Sequence, residues 1–296
     1  MTHYINPSLR KLEYEFEDKK QFFNQVKKNW NMLIRNYLTK NMGVNLSEGE
    51  ERFQISVTIK ASYDESFINM IENNFPELDF EEYFVLDQYL KKAEESKKYF
   101  DDKKAQHHLK MSCEYANYRL KDFDLLQISN SIFNFLNPAN PDVFGCYKIN
   151  TNEVEIYIFP IMLFCQLHGL DVESFIVMVL THELAHAYNH IGRDKDGYFW
   201  ESFNETDDNL AEGLAQFYTF NFLRHYQGRN YKLIETFEKT IPLQPAPYRV
   251  FKEWGASMEQ VYRAFIDVRR NNLNNYHAFS GALENAKGRI AMNRYF

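Results

Sequence analysis

Apolar residues recur at three- and four-residue spacing between Lys11 and Lys40, where Phe16, Phe22, Phe23, Val26 and Trp30 form a stripe among charged positions. That period predicts a long amphipathic helix. Met42 to Glu51 breaks the pattern, and the period then changes. Phe53, Ile55, Val57 and Ile59 alternate with Gln54, Ser56, Thr58 and Lys60, the mark of a strand with one buried face. Segments near Phe80 to Lys104 and Phe123 to Leu136 read as helices, and Pro138 and Pro141 follow in a turn-rich stretch. A boundary is expected there, separating an N-terminal α+β region over 1–137 from a second domain over 138–296.

Phe144 to Ile149 and Glu153 to Phe159 read as two short strands around Asn150-Thr151-Asn152, with Val154, Ile156 and Ile158 on one face. Pro160 suits the first turn of a short helix and Gly169 its end. Asp171 then caps a helix from Val172 to about His190 that Gly192 stops. This helix carries Phe175-Ile176-Val177-Met178-Val179-Leu180, apolar on every side, which predicts burial all round. After a charged and aromatic loop, Arg193 to Glu205, a further helix is expected with Thr206 as cap and Gly228 as stop. The rest reads as helical, interrupted at Pro242, Pro245 and Pro247, with Val261, Phe265 and Val268 as a buried stripe. The fold class is thus α+β, mostly helical.

Composition adds exclusions more than assignments. The formal net charge of -7 provides no general attraction for nucleic acid or anionic lipid, so neither is expected as a partner. Three cysteines, Cys113, Cys146 and Cys165, are too few and too far apart for a disulfide framework or a paired-cysteine metal site. Their spacing also rules out the zinc deaminases. The N-terminus lacks a basic segment followed by an apolar stretch, and the longest apolar run is too short to cross a bilayer. A reducing, cytoplasmic location is the expectation.

The chemistry concentrates in Thr181-His182-Glu183-Leu184-Ala185-His186, an HExxH motif. On a helix, residues four apart share a face, so His182 and His186 can present two ring nitrogens to one metal. Glu183, next to the first ligand, can reach a metal-bound water and act as general base without itself being a ligand. Two imidazoles and a carboxylate at the end of a buried helix are costly without such a partner. A catalytic zinc needs a third protein ligand. Glu212, on an apolar helix face with Ala211, Ala215, Tyr218 and Phe222, is the leading candidate; Glu205 and His190 are the alternatives. Asp208, one turn before Glu212, either accepts the second N–H of a ligand histidine or simply complements the helix dipole.

His182-Glu183-Leu184-Ala185-His186 followed by Asn209-Leu210-Ala211-Glu212-Gly213-Leu214-Ala215-Gln216-Phe217 resembles the gluzincin branch of the zincin metallopeptidases. The resemblance covers about Phe144 to Gly228 and implies one zinc ion per chain, Glu212 as third ligand, and a zincin-like core in which a small sheet and edge hairpin pack on the active-site helix. It places Glu153 to Phe159 as the edge strand, where an extended peptide adds to the sheet. The metzincin branch needs a histidine where Gly192 stands. Gly145-Cys146 offers the Gly-Cys context of peptide deformylases, but the Glu212 helix makes a cysteine ligand redundant. The expected activity is zinc-dependent hydrolysis of peptide or protein substrates. The alternative is a zincin-like fold serving as a non-catalytic binding or regulatory module, which would not require a carboxylate at Glu183. Tyr226, Tyr231, Tyr248, Arg249, Tyr262 and His277 are eligible by type to stabilise an oxyanion.

Overall fold

The computed structural model describes residues 7–48, 51–52, 54–60, 103–108, 110–111 and 144–292. The chain divides into two compact units, Met1–Glu17 with Asp64–Leu136 and Asp18–Tyr63 with Asn137–Phe296. Residues 1–137 are therefore shared between the two. In the first unit the described residues, 7–17, 103–108 and 110–111, are helical. The helices expected near Phe80 to Lys104 and Phe123 to Leu136 lie outside the described residues, apart from the helical pair 103–104, and so does the Pro138–Pro141 turn.

Helix α1 (Pro7–Met42) belongs to the second unit from Asp18 onward and there buries Phe23, Val26, Trp30, Ile34 and Leu38 to 2% exposure or less, as their helical spacing requires. Phe22, expected in that stripe, sits at its angular edge and is 43% exposed. Strand β1 (Val44–Asn45) then pairs antiparallel with β7 (Arg193–Asp194), and β2 (Ser47–Glu48) with β3 (Glu51–Arg52). The alternating segment supplies β4 (Ser56–Lys60), preceded by the buried Ile55; Phe53 lies outside the described residues.

Strands β5 (Gly145–Lys148) and β6 (Glu153–Tyr157) form the expected hairpin, with Asn152 in the left-handed region at φ 52°. β4 adds parallel to β6, giving the order β4-β6-β5. This corrects the expected edge role of Glu153 to Phe159: β6 is the central strand, bonded on both sides, and among the described residues β5 is an edge. The strand also ends sooner than expected, because Ile158 and Phe159 open helix α2 (Ile158–His168), which tolerates Pro160 in its first turn. Glu155, on the side of β6 opposite Val154 and Ile156, accepts hydrogen bonds from Lys60 of β4, from Lys148 of β5 at 2.7 Å and from the Tyr157 hydroxyl at 2.8 Å. One carboxylate thus ties all three strands together.

Helix α3 (Val172–Ile191) begins where Asp171 accepts from the Ser174 backbone N–H at 3.1 Å, and every residue from Ser174 to Ala185 is buried. It ends at Gly192, where a Cβ would lie 2.5 Å from the Tyr188 carbonyl oxygen and 2.9 Å from Val44 Cγ2. Helix α4 (Asp208–Tyr226) is capped by Asp207, whose carboxylate accepts from Asn209 N–H at 2.8 Å. The expected cap, Thr206, instead closes a 3-10 turn over Phe203–Glu205. Helices α5 (Lys232–Thr240), α6 (Ala246–Arg249), α7 (Met258–Arg270) and α8 (Tyr276–Met292) follow, and the Val261, Phe265 and Val268 stripe is fully buried. The architecture is mostly helical with a small sheet, an α+β class. No helix among the described residues is long and apolar enough to cross a membrane.

Candidate metal centre

Helices α3 and α4 pack against each other and bring three donor atoms together. His182 Nε2 lies 3.0 Å from Glu212 Oε2, His186 Nε2 lies 3.4 Å from the same oxygen, and the two ring nitrogens are 2.9 Å apart. Tetrahedral zinc, with bonds of roughly 2.0–2.1 Å, holds neighbouring donors about 3.3 Å apart. The donor triangle is close to that size.

The charge states fit a cation as well. Burial and the neighbouring His186 hold the His182 imidazole below the usual histidine range, so its neutral form is favoured. Burial alone would raise the Glu212 carboxyl, but His186 and His182 outweigh it and keep the group well below the usual carboxylate range. A neutral imidazole nitrogen and an ionised carboxylate oxygen aimed at one point repel unless a proton or a metal lies between them.

Glu183 is 7% exposed and shares α3 with the two histidines. Its neighbour across the packing is β5: a Cβ built on Gly145 would lie 3.2 Å from Glu183 Cγ and 2.7 Å from Val179 Cγ1. Two residues further along the same face of β5, the Tyr147 hydroxyl meets His190 Nδ1 at 2.9 Å and donates to Asn152 Oδ1 at 3.1 Å. β5 therefore runs along α3 from Val179 to His190.

The rival ligands are placed elsewhere. His190 is engaged by Tyr147 and packs on Phe203 with ring centroids 5.4 Å apart, and Glu205 is exposed at the end of the 3-10 turn. Asp208 is exposed in the first turn of α4, and His182 Nδ1 is buried without a hydrogen-bond partner among the described residues, so Asp208 is not the acceptor for that ring. Its position is the one the helix dipole favours.

Of the six residues eligible to stabilise an oxyanion, Tyr248 stacks on the ring of His182, with centroids 5.4 Å apart and planes 14° apart. Tyr226 packs on Trp30, Tyr262 stands over Gly43, Tyr231 is 74% exposed, and Arg249 and His277 are exposed. Tyr248 reaches the site because Gly213, next to Glu212, leaves room for the segment that follows it. A Cβ there would lie 2.7 Å from Val250 Cγ1 and 3.0 Å from Trp254 Cζ2. Sequence reasoning did not single out Gly145 or Gly213 for these contacts. The available signal was a glycine inside a strand and one inside a helix, where it is unfavourable unless another group must come close. Compared with protein-family models, curated proteins and solved structures, the chain finds no match in any of the three.

Proposed function

We propose that the protein is a zinc-dependent hydrolase, a metallopeptidase with a zincin-like core of the gluzincin type, cleaving peptide or protein substrates. The observation that carries this reading is the convergence of His182 Nε2, His186 Nε2 and Glu212 Oε2 from two packed helices. These three residues would hold one zinc ion per chain. A zinc ion held there supplies Lewis acidity, lowering the pKa of a water toward neutrality and polarising a carbonyl oxygen.

The chain's own groups do the rest. Glu183 takes a proton from the attacking water and returns it to the leaving nitrogen as the C–N bond breaks. Tyr248, the one candidate donor that packs on a ligand ring, is assigned to the developing oxyanion. The outer edge of β5, which lies along α3 and is bonded to β6 alone among the described strands, is the position for an extended peptide.

The test is elemental mass spectrometry of the protein purified without added metal, beside Glu212→Ala and Glu205→Ala. Near-stoichiometric zinc in the parent and in Glu205→Ala, lost in Glu212→Ala, is the expected result. A parent that holds no zinc even when zinc is supplied overturns the reading. With zinc in place, hydrolysis of a peptide library, absent in Glu183→Gln, separates an enzyme from a metal-binding module without activity.

A further inference from the structure

The contact between β5 and α3 is closer than side chains ordinarily permit. Gly145 faces α3, and the position its Cβ would occupy lies 2.7 Å from Val179 Cγ1, 3.0 Å from the Glu155 carbonyl oxygen and 3.2 Å from Glu183 Cγ. Real Cβ atoms do not sit within 3.0 Å of another heavy atom, and the other two distances are tighter than normal packing. The backbone at Gly145 is ordinary strand, so a left-handed conformation is not the reason for glycine. The reason is space.

The strand has little freedom to move away. Gly145 pairs with Ile156 and Tyr147 with Val154 in the antiparallel ladder. The Tyr147 hydroxyl is bonded to His190 at 2.9 Å, and Lys148 is bonded to Glu155 at 2.7 Å. With β5 fixed at its far end by groups on both its faces, a side chain at 145 would displace what lies beneath it. Two groups lie there, Val179 and the stem of Glu183.

We infer that Gly145 is a positioning residue for Glu183: the missing side chain lets β5 press on α3 and fixes where the Glu183 carboxylate stands beside the His182–His186–Glu212 group. The inference rests on the hydrolase reading for its catalytic meaning, but its steric content is independent of that reading. The three atoms nearest the missing Cβ belong to Val179, Glu155 and Glu183 and none of them to His182, His186 or Glu212, so substitution there is expected to leave the three donors in place.

The experiment compares the zinc-loaded full chain with Gly145→Ala, Val179→Ala and the double variant. It measures zinc per chain, amide hydrogen exchange over residues 144–148, and steady-state cleavage of a fluorogenic peptide pool. In Gly145→Ala, zinc stays at the parental ratio, exchange over 144–148 accelerates, and kcat falls at least about tenfold with KM within about twofold, as expected for a displaced catalytic group. The double variant removes the 2.7 Å clash and recovers most of kcat and the parental exchange pattern. Parental exchange and kcat in Gly145→Ala overturn the inference, as does a loss carried by KM or a loss that Val179→Ala fails to restore. If the parent binds zinc but cleaves no peptide, the hydrolase reading fails, while exchange in the single and double variants still decides whether Gly145 sets the strand against α3.

Discussion

Gly213 and Gly281 sit inside helices under opposite conditions. A Cβ at Gly213 would strike Val250 and Trp254, whereas a Cβ at Gly281, on α8, would meet nothing within 4 Å among the described residues. Alanine gains up to about 1 kcal/mol of helix propensity at either position. Gly281→Ala is therefore expected to stabilise by up to about 1 kcal/mol. Gly213→Ala is expected to lose about 1–2 kcal/mol once overpacking is set against that gain. Urea unfolding midpoints measure both, and equal shifts of one sign would contradict the packing account. The same contrast marks what was legible at this scale. The meeting of His182 and His186 could be read directly, because helical spacing and residue type together specify which atoms share a face. Glu212 was legible as a charge on an apolar face. Tyr248 was not, because its approach to His182 depends on space left by Gly213, a relation between segments that no local pattern encodes.

At the scale of elements, helices were the easier reading. The buried stripe of α1, the buried run Ser174–Ala185 of α3 and its Asp171 cap follow from period and residue type. Boundaries were harder: Thr206 and Asp207 are both competent caps, and the 3-10 turn before α4 claims the first and leaves the second. The sheet was the least legible, since nothing in β6 itself announces a parallel neighbour drawn from residues 56–60. Asp171 also carries a pH dependence. Burial would raise its carboxyl, but hydrogen bonds from Ser174 and Lys232 outweigh it and lower the pKa. A carboxyl lowered on folding contributes stability that is fully present above its unfolded value, about 3.9, and is lost as pH falls through the folded value. Asp171→Asn, which keeps a capping oxygen but no charge, should therefore unfold more easily than the parent at pH 7. The difference in urea midpoint should shrink as pH drops below about 4. A difference that stays constant from pH 7 to pH 3 would show that Asp171 contributes through geometry alone.

The whole molecule departs most from a reading that proceeds segment by segment. The unit that carries the His182–His186–Glu212 group is discontinuous: Asp18–Tyr63 and Asn137–Phe296 form it, and Asp64–Leu136 intervenes. A fragment of residues 138–296 lacks the buried stripe of α1 and the β4 side of the sheet. It is expected to show helical far-ultraviolet dichroism without a cooperative thermal transition. A sharp transition in that fragment would show that the first 60 residues are dispensable to the core.

The discontinuity also has a consequence during synthesis. Trp30 of α1 stacks edge-on against Phe222 and Tyr226 and donates to Glu173 at 2.8 Å, all of which leave the ribosome far later than it does. At roughly 5–20 residues per second, the wait from the end of α1 to the end of α4 is on the order of ten to forty seconds. Throughout that interval the nascent chain displays Phe23, Trp30, Ile34 and Leu38 without their final cover. A long amphipathic helix whose apolar stripe stays uncovered for that time is a natural client for the chaperones that gather at the tunnel exit.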